Sequence, residues 1–347
     1  MKTVFAAAAF ALVLPGGATL NTAYKAGTGV RVEIESTIKL ETTLMEIERD
    51  GEPVDMPGGG ASTEATRTEV HVDRVVEAAQ GRPTKVRRSF EEVGGKSAFS
   101  MGDNSGETPI ESPLAGVTLE IVRDSEGEIE TTVVEGTKPS QDGALENHVP
   151  GLFLDGLLPE GEIEEGAQWD LAKDAIHRAF RLDVERALYA RPERPEGGGG
   201  EGGRGGRRGG MRGGDSSGML ALAEWTGHAK LVSLGEDVGG TTCAVIEIVA
   251  EASGEMPMPE MGGGRRRDRV SGAGIEAVLA ENTYEIKLKG KLCFAVKAQR
   301  PLSFEVEGSL KNETLMERSM GESSMRIHTV REGTFEYKVA VSEAKAD

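Results

Sequence analysis

Cysteine and the large aromatics are scarce: 347 residues contain two cysteines, two tryptophans and four tyrosines, and aromatic residues make up 4% of the chain. Two cysteines exclude a disulfide-dense scaffold. They occur as isolated residues, with no Cys-x-x-Cys, and the five histidines, His71, His148, His177, His228 and His328, show no spacing typical of a zinc site. So few tryptophans give little support to a sugar-stacking platform. Positive charge is also short, with 40 Lys and Arg against 58 Asp and Glu, a formal charge of −18. Long-range repulsion then argues against nucleic acid and anionic membrane surfaces as main partners. No run of about 20 apolar residues is present, so no transmembrane segment is expected in the mature chain.

What is present begins with an export pattern. Lys2 precedes an apolar run from Val4 to Leu14, and Pro15-Gly16-Gly17-Ala18 follows, with small residues at the −3 and −1 positions of a cleavage site. Residues 1–18 are expected to be a signal peptide. No cysteine follows the run, so a lipoprotein anchor is not expected, and the location reads as periplasmic or secreted.

Beyond the leader, period-two alternation dominates and predicts a mainly β fold of antiparallel amphipathic sheets. Tyr284, Ile286, Leu288, Leu292 and Phe294 share one face, while Glu285, Lys287, Lys289 and Lys291 share the other, with Gly290 as a candidate bend or bulge. After Gln299-Arg300-Pro301, Phe304, Val306 and Leu310 alternate with Glu305, Glu307 and Ser309, which predicts a hairpin with cross-strand charge pairs. Val30, Val32, Ile34 and Ile38 form a similar row near the start. Candidate turns are Asp50-Gly51, Gln80-Gly81 and Gly127. Only 172–188 reads as a short helix, since Ile176, Phe180, Val184 and Leu188 recur every four residues. The run GGGGEGGRGGRRGGMRGG, from Gly197 to Gly214, buries nothing, so 196–217 is expected to be a disordered linker or loop. It divides a half at 24–190 from a half at 219–345, each a curved sheet or flattened barrel; one continuous sheet through both is the alternative.

Three phrases carry a resemblance: Gly81 to Glu92 (GRPTKVRRSFEE), Ser112 to Leu119 (SPLAGVTL), and Leu157-Leu158-Pro159 with Gly166-Ala167-Gln168-Trp169. In these the chain resembles a loose class of uncharacterised exported bacterial β-rich proteins. The resemblance implies an envelope location and a mostly β fold, and brings no activity and no site residues.

No catalytic centre, cofactor site or metal site is legible. Gly214-Asp215-Ser216-Ser217-Gly218 matches G-x-S-x-G, but a nucleophile elbow needs a preceding strand, and a Gly/Arg run stands there instead. The acidic clusters 124–130 and 160–165 lack the spacing of a calcium loop and read as solvated turns. His71 and His328 read as solvated residues on polar strand faces. Cys243 and Cys293 are a possible disulfide: each is out of phase with its strand's main apolar row, and an exported compartment favours pairing, but adjacency of the two strands is not given by the sequence.

These readings point to an exported, non-catalytic envelope protein. It is expected to bind an apolar ligand or lipid within a curved sheet, as periplasmic lipid carriers do by analogy of fold alone. The alternative is a structural or assembly protein that contacts other envelope proteins. An enzyme with a site assembled only in three dimensions comes third.

Overall fold

A computed structural model describes residues 17–54, 60–141, 143–189, 216–256, 275–320 and 323–344. The strands are β1 (Ala18–Thr19), β2 (Gly29–Arg49), β3 (Glu52–Pro53), β4 (Ala61–Ala79), β5 (Arg82–Met101), β6 (Asn104–Glu111), β7 (Thr118–Arg123), β8 (Ile129–Glu135), β9 (Glu162–Ile163) and β10 (Gln168–Leu171). They continue with β11 (Trp225–Val238), β12 (Thr241–Glu255), β13 (Ile275–Ala295), β14 (Arg300–Met320) and β15 (Ser323–Glu343). Among the described residues there are also three short helices, α1 (Lys173–Ala179), α2 (Glu185–Leu188) and α3 (Ser216–Leu222), and a 3₁₀ turn at Asp155–Leu157. Residues 1–16 of the expected signal peptide and nearly all of the Gly/Arg segment lie outside the described residues; Ala18, the last residue expected in that leader, instead opens β1, opposite Ile163. Ser216, expected as the end of the linker, instead opens α3.

The fold is mainly β, as the alternation predicts, and all its pairings are antiparallel. One open sheet runs β10-β11-β12-β13-β14-β15-β2-β4-β5-β7-β8, with β3 beside β2 and β6 beside β5. It does not close into a barrel. Because β15 pairs with β2 along nearly its whole length, the two halves share one sheet. They also share one apolar cluster, in which Val32, Ile34 and Leu40 of the first half meet Ile286, Phe304 and Val339 of the second.

The β13–β14 hairpin places Lys289 opposite Glu307 and Lys291 opposite Glu305, the charge pairing its two faces predict. At two expected turns, Asp50-Gly51 and Gln80-Gly81, both central residues have positive φ, the two-residue geometry whose twist suits a hairpin. Gly290 marks no bulge; it sits within a regular ladder, and a Cβ there would fall 2.6 Å from Val306 Cγ2. Close approach is tighter still at Gly308 and Gly333. A Cβ on Gly333 would fall 1.7 Å from the Lys39 carbonyl oxygen, and one on Gly308 would fall 2.1 Å from that of Lys287. These glycines let the long strands bend around the core.

The inner face of the bend is filled by the chain itself. Leu154, Leu157, Ile176, Phe180, Leu182 and Leu220, from the turns and helices that form a cap, are buried against the sheet. Phe180 is the hub, with its ring centroid 5.6–5.9 Å from those of Trp225, Phe304, Phe335 and Tyr337. The single helix expected over 172–188 is instead α1 and α2, separated by a break in which Arg181 takes the left-handed conformation, φ 58°. The apolar row it was read from is nevertheless buried: Ile176, Phe180, Val184 and Leu188 all face inward. The i,i+4 spacing therefore reports burial correctly, while the backbone breaks to aim Arg181 at the sheet.

Candidate functional site

Strand β4 carries the densest group of buried charge. Its register with β2 is set by the row Val32, Ile34 and Ile38, which must face the core. That register puts Glu69 opposite Ile34 and His71 opposite Val32. Glu69, His71 and Asp73 therefore point inward, and all three are buried, His71 with no exposure at all. This corrects the expectation of a solvated His71: the row Glu69, His71 and Asp73 faces the cap, and Val70 and Val72 face the other way. The second histidine, His328, is part-exposed between Glu313 at 2.9 Å and Glu46 at 3.4 Å.

The inward row is neutralised by two arginines. Arg88 on β5 donates from Nε and from a terminal nitrogen to the two oxygens of Asp73, both at 2.7 Å. Arg181, from the break between α1 and α2, donates to the two oxygens of Glu69 at 2.7 and 3.3 Å. Its guanidinium also lies over the Phe153 ring, 5.1 Å from the centroid. His71 Nδ1 lies 2.9 Å from Glu69 Oε1. Arg67 pairs with Glu185 of α2 and covers the Tyr189 ring. Burial alone pushes the Glu69 carboxyl up, but Arg181, His71 and Arg88 outweigh it and hold it well below the usual carboxylate range. Asp73 is likewise lowered, with burial outweighed by Arg88.

Two further groups join cap to sheet. His148 packs edge-on against Phe90 and its Nε2 lies 3.1 Å from the Ala144 carbonyl oxygen; burial, reinforced by Arg88 and Arg181, depresses its pKa to about 3, so it is neutral. Asp155 accepts hydrogen bonds from Thr22 Oγ1 at 2.6 Å and from Tyr24 Oη at 2.5 Å, and Tyr24 Oη in turn accepts from the Leu152 N–H. Burial raises the Asp155 pKa to about 6 despite these two donors.

This arrangement clamps the cap to the sheet. Each carboxylate of the β4 row is engaged by an arginine, His71 has no path to solvent, and among the described residues no group of three His, Cys, Asp or Glu side chains is placed to hold a metal. The small recess beside it, bordered by Arg67, Glu69, Arg181, Tyr189 and Tyr337, measures about 40 Å³. That is room for about one water. Among the described residues the buried Tyr337 hydroxyl has no hydrogen-bond partner, and a water there would satisfy it.

The two cysteines sit elsewhere, on β12 and β13, which are neighbours. Cys243 faces Ala295 and Cys293 faces Val245, so the thiols are diagonal on one face. Both are free and both are buried, at 0% and 5% exposure. The more polar face expected for them is locally apolar, because Val245 and Ala295 complete a buried square with them. Burial first, and then the Cys293 thiol and Asp237, raise the pKa of Cys243.

No protein-family model matches the chain, and no curated protein is similar to it. The reading of function therefore rests on the residues.

The clamp was missed because Glu-Val-His-Val-Asp alternates like any half-buried strand, and period alone does not say which row faces in. One signal was available: Val70 and Val72 are flanked by three ionisable residues of mixed type, and Arg88 stands on the next predicted strand with Val86 and Phe90 in its own row.

Proposed function

We propose that this is an exported, non-catalytic envelope protein that acts through its surfaces, by contact with other proteins. The observation that carries the reading is the filled interior. A curved sheet that bound a lipid would need a cavity of about 300 Å³ or more, and the cap residues around Phe180 pack on the inner face, where the recess beside Glu69 and Tyr337 measures about 40 Å³. An apolar ligand would have to displace the cap, breaking the Arg181–Glu69 pair and exposing the Phe180 cluster. A second recess, over β2, β4, β5 and β6, has a volume of about 400 Å³, but it is an open groove rather than an enclosed cavity, and its lining mixes Phe99 and Ala98 with Lys39, Ser62, Glu64 and Glu107.

Surface contact has material to work with. Beyond Gly308 and Gly333 the long strands run past the cap, and there Leu44, Met45, Phe99 and Met101 are 37–51% exposed. Scattered apolar residues on a strongly acidic exterior suit partners recognised by shape and local apolar contact, while net charge keeps the free protein soluble.

Two measurements on protein made in its native host test this. Mature protein is expected to begin at Thr19, and retention of Met1 would refute export. Mass spectrometry of the purified protein is expected to find no stoichiometric lipid; a bound lipid would overturn the surface reading in favour of a carrier.

A further inference from the structure

The outer face of the sheet, away from the cap, is an array of charge that neutralises itself. One row crosses six strands, with Lys230, Glu247, Lys291, Glu305, Lys338 and Glu35 each opposite the next. Cys243 and Cys293 share that face, because Cys243 is in phase with Glu247 on β12 and Cys293 with Lys291 on β13. Both are free and buried, yet neither belongs to the apolar core that packs under the cap.

Their separation follows from the phase of the ladder. The Val296 N–H donates to the Thr242 carbonyl, and the Met256 N–H to that of Asn282. The pairs between, Cys243 with Ala295 and Val245 with Cys293, are therefore non-hydrogen-bonded ones, in which side chains come closest. The cysteines are diagonal neighbours across these pairs, which places their Cα atoms about 7–8 Å apart with the side chains nearer. A disulfide needs Cα atoms within about 7 Å and Cβ atoms about 4 Å apart, so a direct bond would have to shift a ladder that has no irregularity. One ion between the sulfurs asks less. Two metal–sulfur bonds of about 2.3 Å hold the sulfurs about 4.6 Å apart.

Charge at the site narrows the choice of ion. Glu236 on β11 faces Cys243, and Lys291 stands two residues from Cys293 on the same face. Lys291 reaches across β12 to Glu236, Nζ to Oε1 at 2.9 Å, and both side chains are exposed. Such a pair is weakly held in water and opens readily. Among the described residues no third His, Cys, Asp or Glu joins the thiols in a metal-binding group. Two soft ligands without a third donor suit a soft ion content with two-coordination, and do not complete the four-ligand shell of zinc or the oxygen shell of calcium.

We propose that Cys243 and Cys293 bind one Cu(I) ion in linear two-coordination, with Lys291 as its counter-cation. Two S–H protons leave to solvent, two S–Cu bonds form, and no electron is transferred. The resulting bis-thiolate complex carries one negative charge, which the Lys291 ammonium neutralises on turning from Glu236. Release of two protons per ion makes the apparent affinity fall about hundredfold for each pH unit of acidification below the thiol range.

The inference goes beyond the surface-acting reading and does not depend on it. The test is titration of the full mature chain, reduced and anaerobic, with Cu(I) in competition with bicinchoninate. One Cu(I) per chain is expected, with two sulfur neighbours and no nitrogen in X-ray absorption. Cys243→Ala and Cys293→Ala should each weaken binding at least about hundredfold. Lys291→Gln should weaken it about tenfold, and Lys291→Arg should restore it. Lys291 is exposed, so its variants should keep the wild-type thermal midpoint, and they decide the matter even where a cysteine variant folds poorly. Zn(II) should not compete. Absence of Cu(I) binding, binding that survives both cysteine variants, or binding indifferent to acid or to Lys291→Gln would overturn the proposal. So would equal affinity for Zn(II), or protein from the native host whose two thiols are already joined to each other.

Discussion

Arg181 holds Glu69 from a backbone that an L residue adopts at a cost: at φ 58° its guanidinium places two nitrogens 2.7 and 3.3 Å from the carboxylate oxygens. Both side chains are buried. Removing one partner strands the other charge in the core, at about 3–5 kcal/mol. Arg181→Ala should therefore lower unfolding free energy by that order in urea titration. Arg181→Gly should be about 1 kcal/mol less harmful, because glycine accepts the left-handed backbone. Arg181→Met with Glu69→Leu should recover most of the loss. A small effect of Arg181→Ala would mean the pair is solvated and does not clamp the cap.

Two buried groups give opposite pH dependence. The neutral imidazole of His148, depressed to about 3, binds its proton more weakly in the fold than in the unfolded chain. Its contribution is full above about pH 6.5 and is lost as pH falls towards 3. Asp155, raised to about 6, binds its proton more tightly in the fold, so its contribution grows as pH falls from 6 to 4 and is lost as pH rises through that window. Each changes stability by at most about 1.4 kcal/mol per pH unit, with opposite sign. Between pH 4 and 6 they offset. In Asp155→Asn the His148 slope should stand alone, and denaturant midpoints measured from pH 4 to 6.5 should fall more steeply on acidification than in the wild type. Parallel curves for the two proteins would contradict the assignment.

Cutting the Gly/Arg run should not part the two halves. Its composition predicts tryptic cleavage between Arg204 and Arg212. β15 is hydrogen-bonded to β2 from Glu343–Val30 to Met325–Arg49, so the fragments should co-elute in size exclusion and separate only in denaturant. Separation under native conditions would mean that this shared ladder does not hold.

The buried thiols should be slow to react. Cys243 and Cys293 are free, and burial raises the Cys243 pKa, so iodoacetamide should leave both unmodified in the native state and modify both after unfolding without reductant. Their diagonal placement on neighbouring strands also makes the disulfide question decidable by mass. Protein from its exporting host that takes up no label even when unfolded would be cross-linked.

The rows Tyr284–Phe294 and Phe304–Leu310 carry enough alternation to give the β13–β14 hairpin and its charge pairs, and Asp50-Gly51 and Gln80-Gly81 give their turns. These are local matters, decided by side-chain period and by which residues tolerate positive φ. The row Ile176, Phe180, Val184 and Leu188 likewise reports which residues are buried, though it says nothing of the break at Arg181. The β4 row is where local reading stops. Glu69, His71 and Asp73 alternate with valines, and either row satisfies the strand's own geometry.

What the sequence determines by itself is the β class, the hairpins and the residues that seek burial, because each follows from neighbours within a few positions along the chain. Tertiary structure alone decides that β15 joins β2, that the cap fills the bend, that the cysteines stand on adjacent strands, and that the charged row of β4 turns inward. Those outcomes depend on register between strands far apart in sequence and on countercharges, Arg88 and Arg181, delivered from other elements. A buried carboxylate is tolerable only once its arginine arrives, and no pattern local to β4 records that arrival.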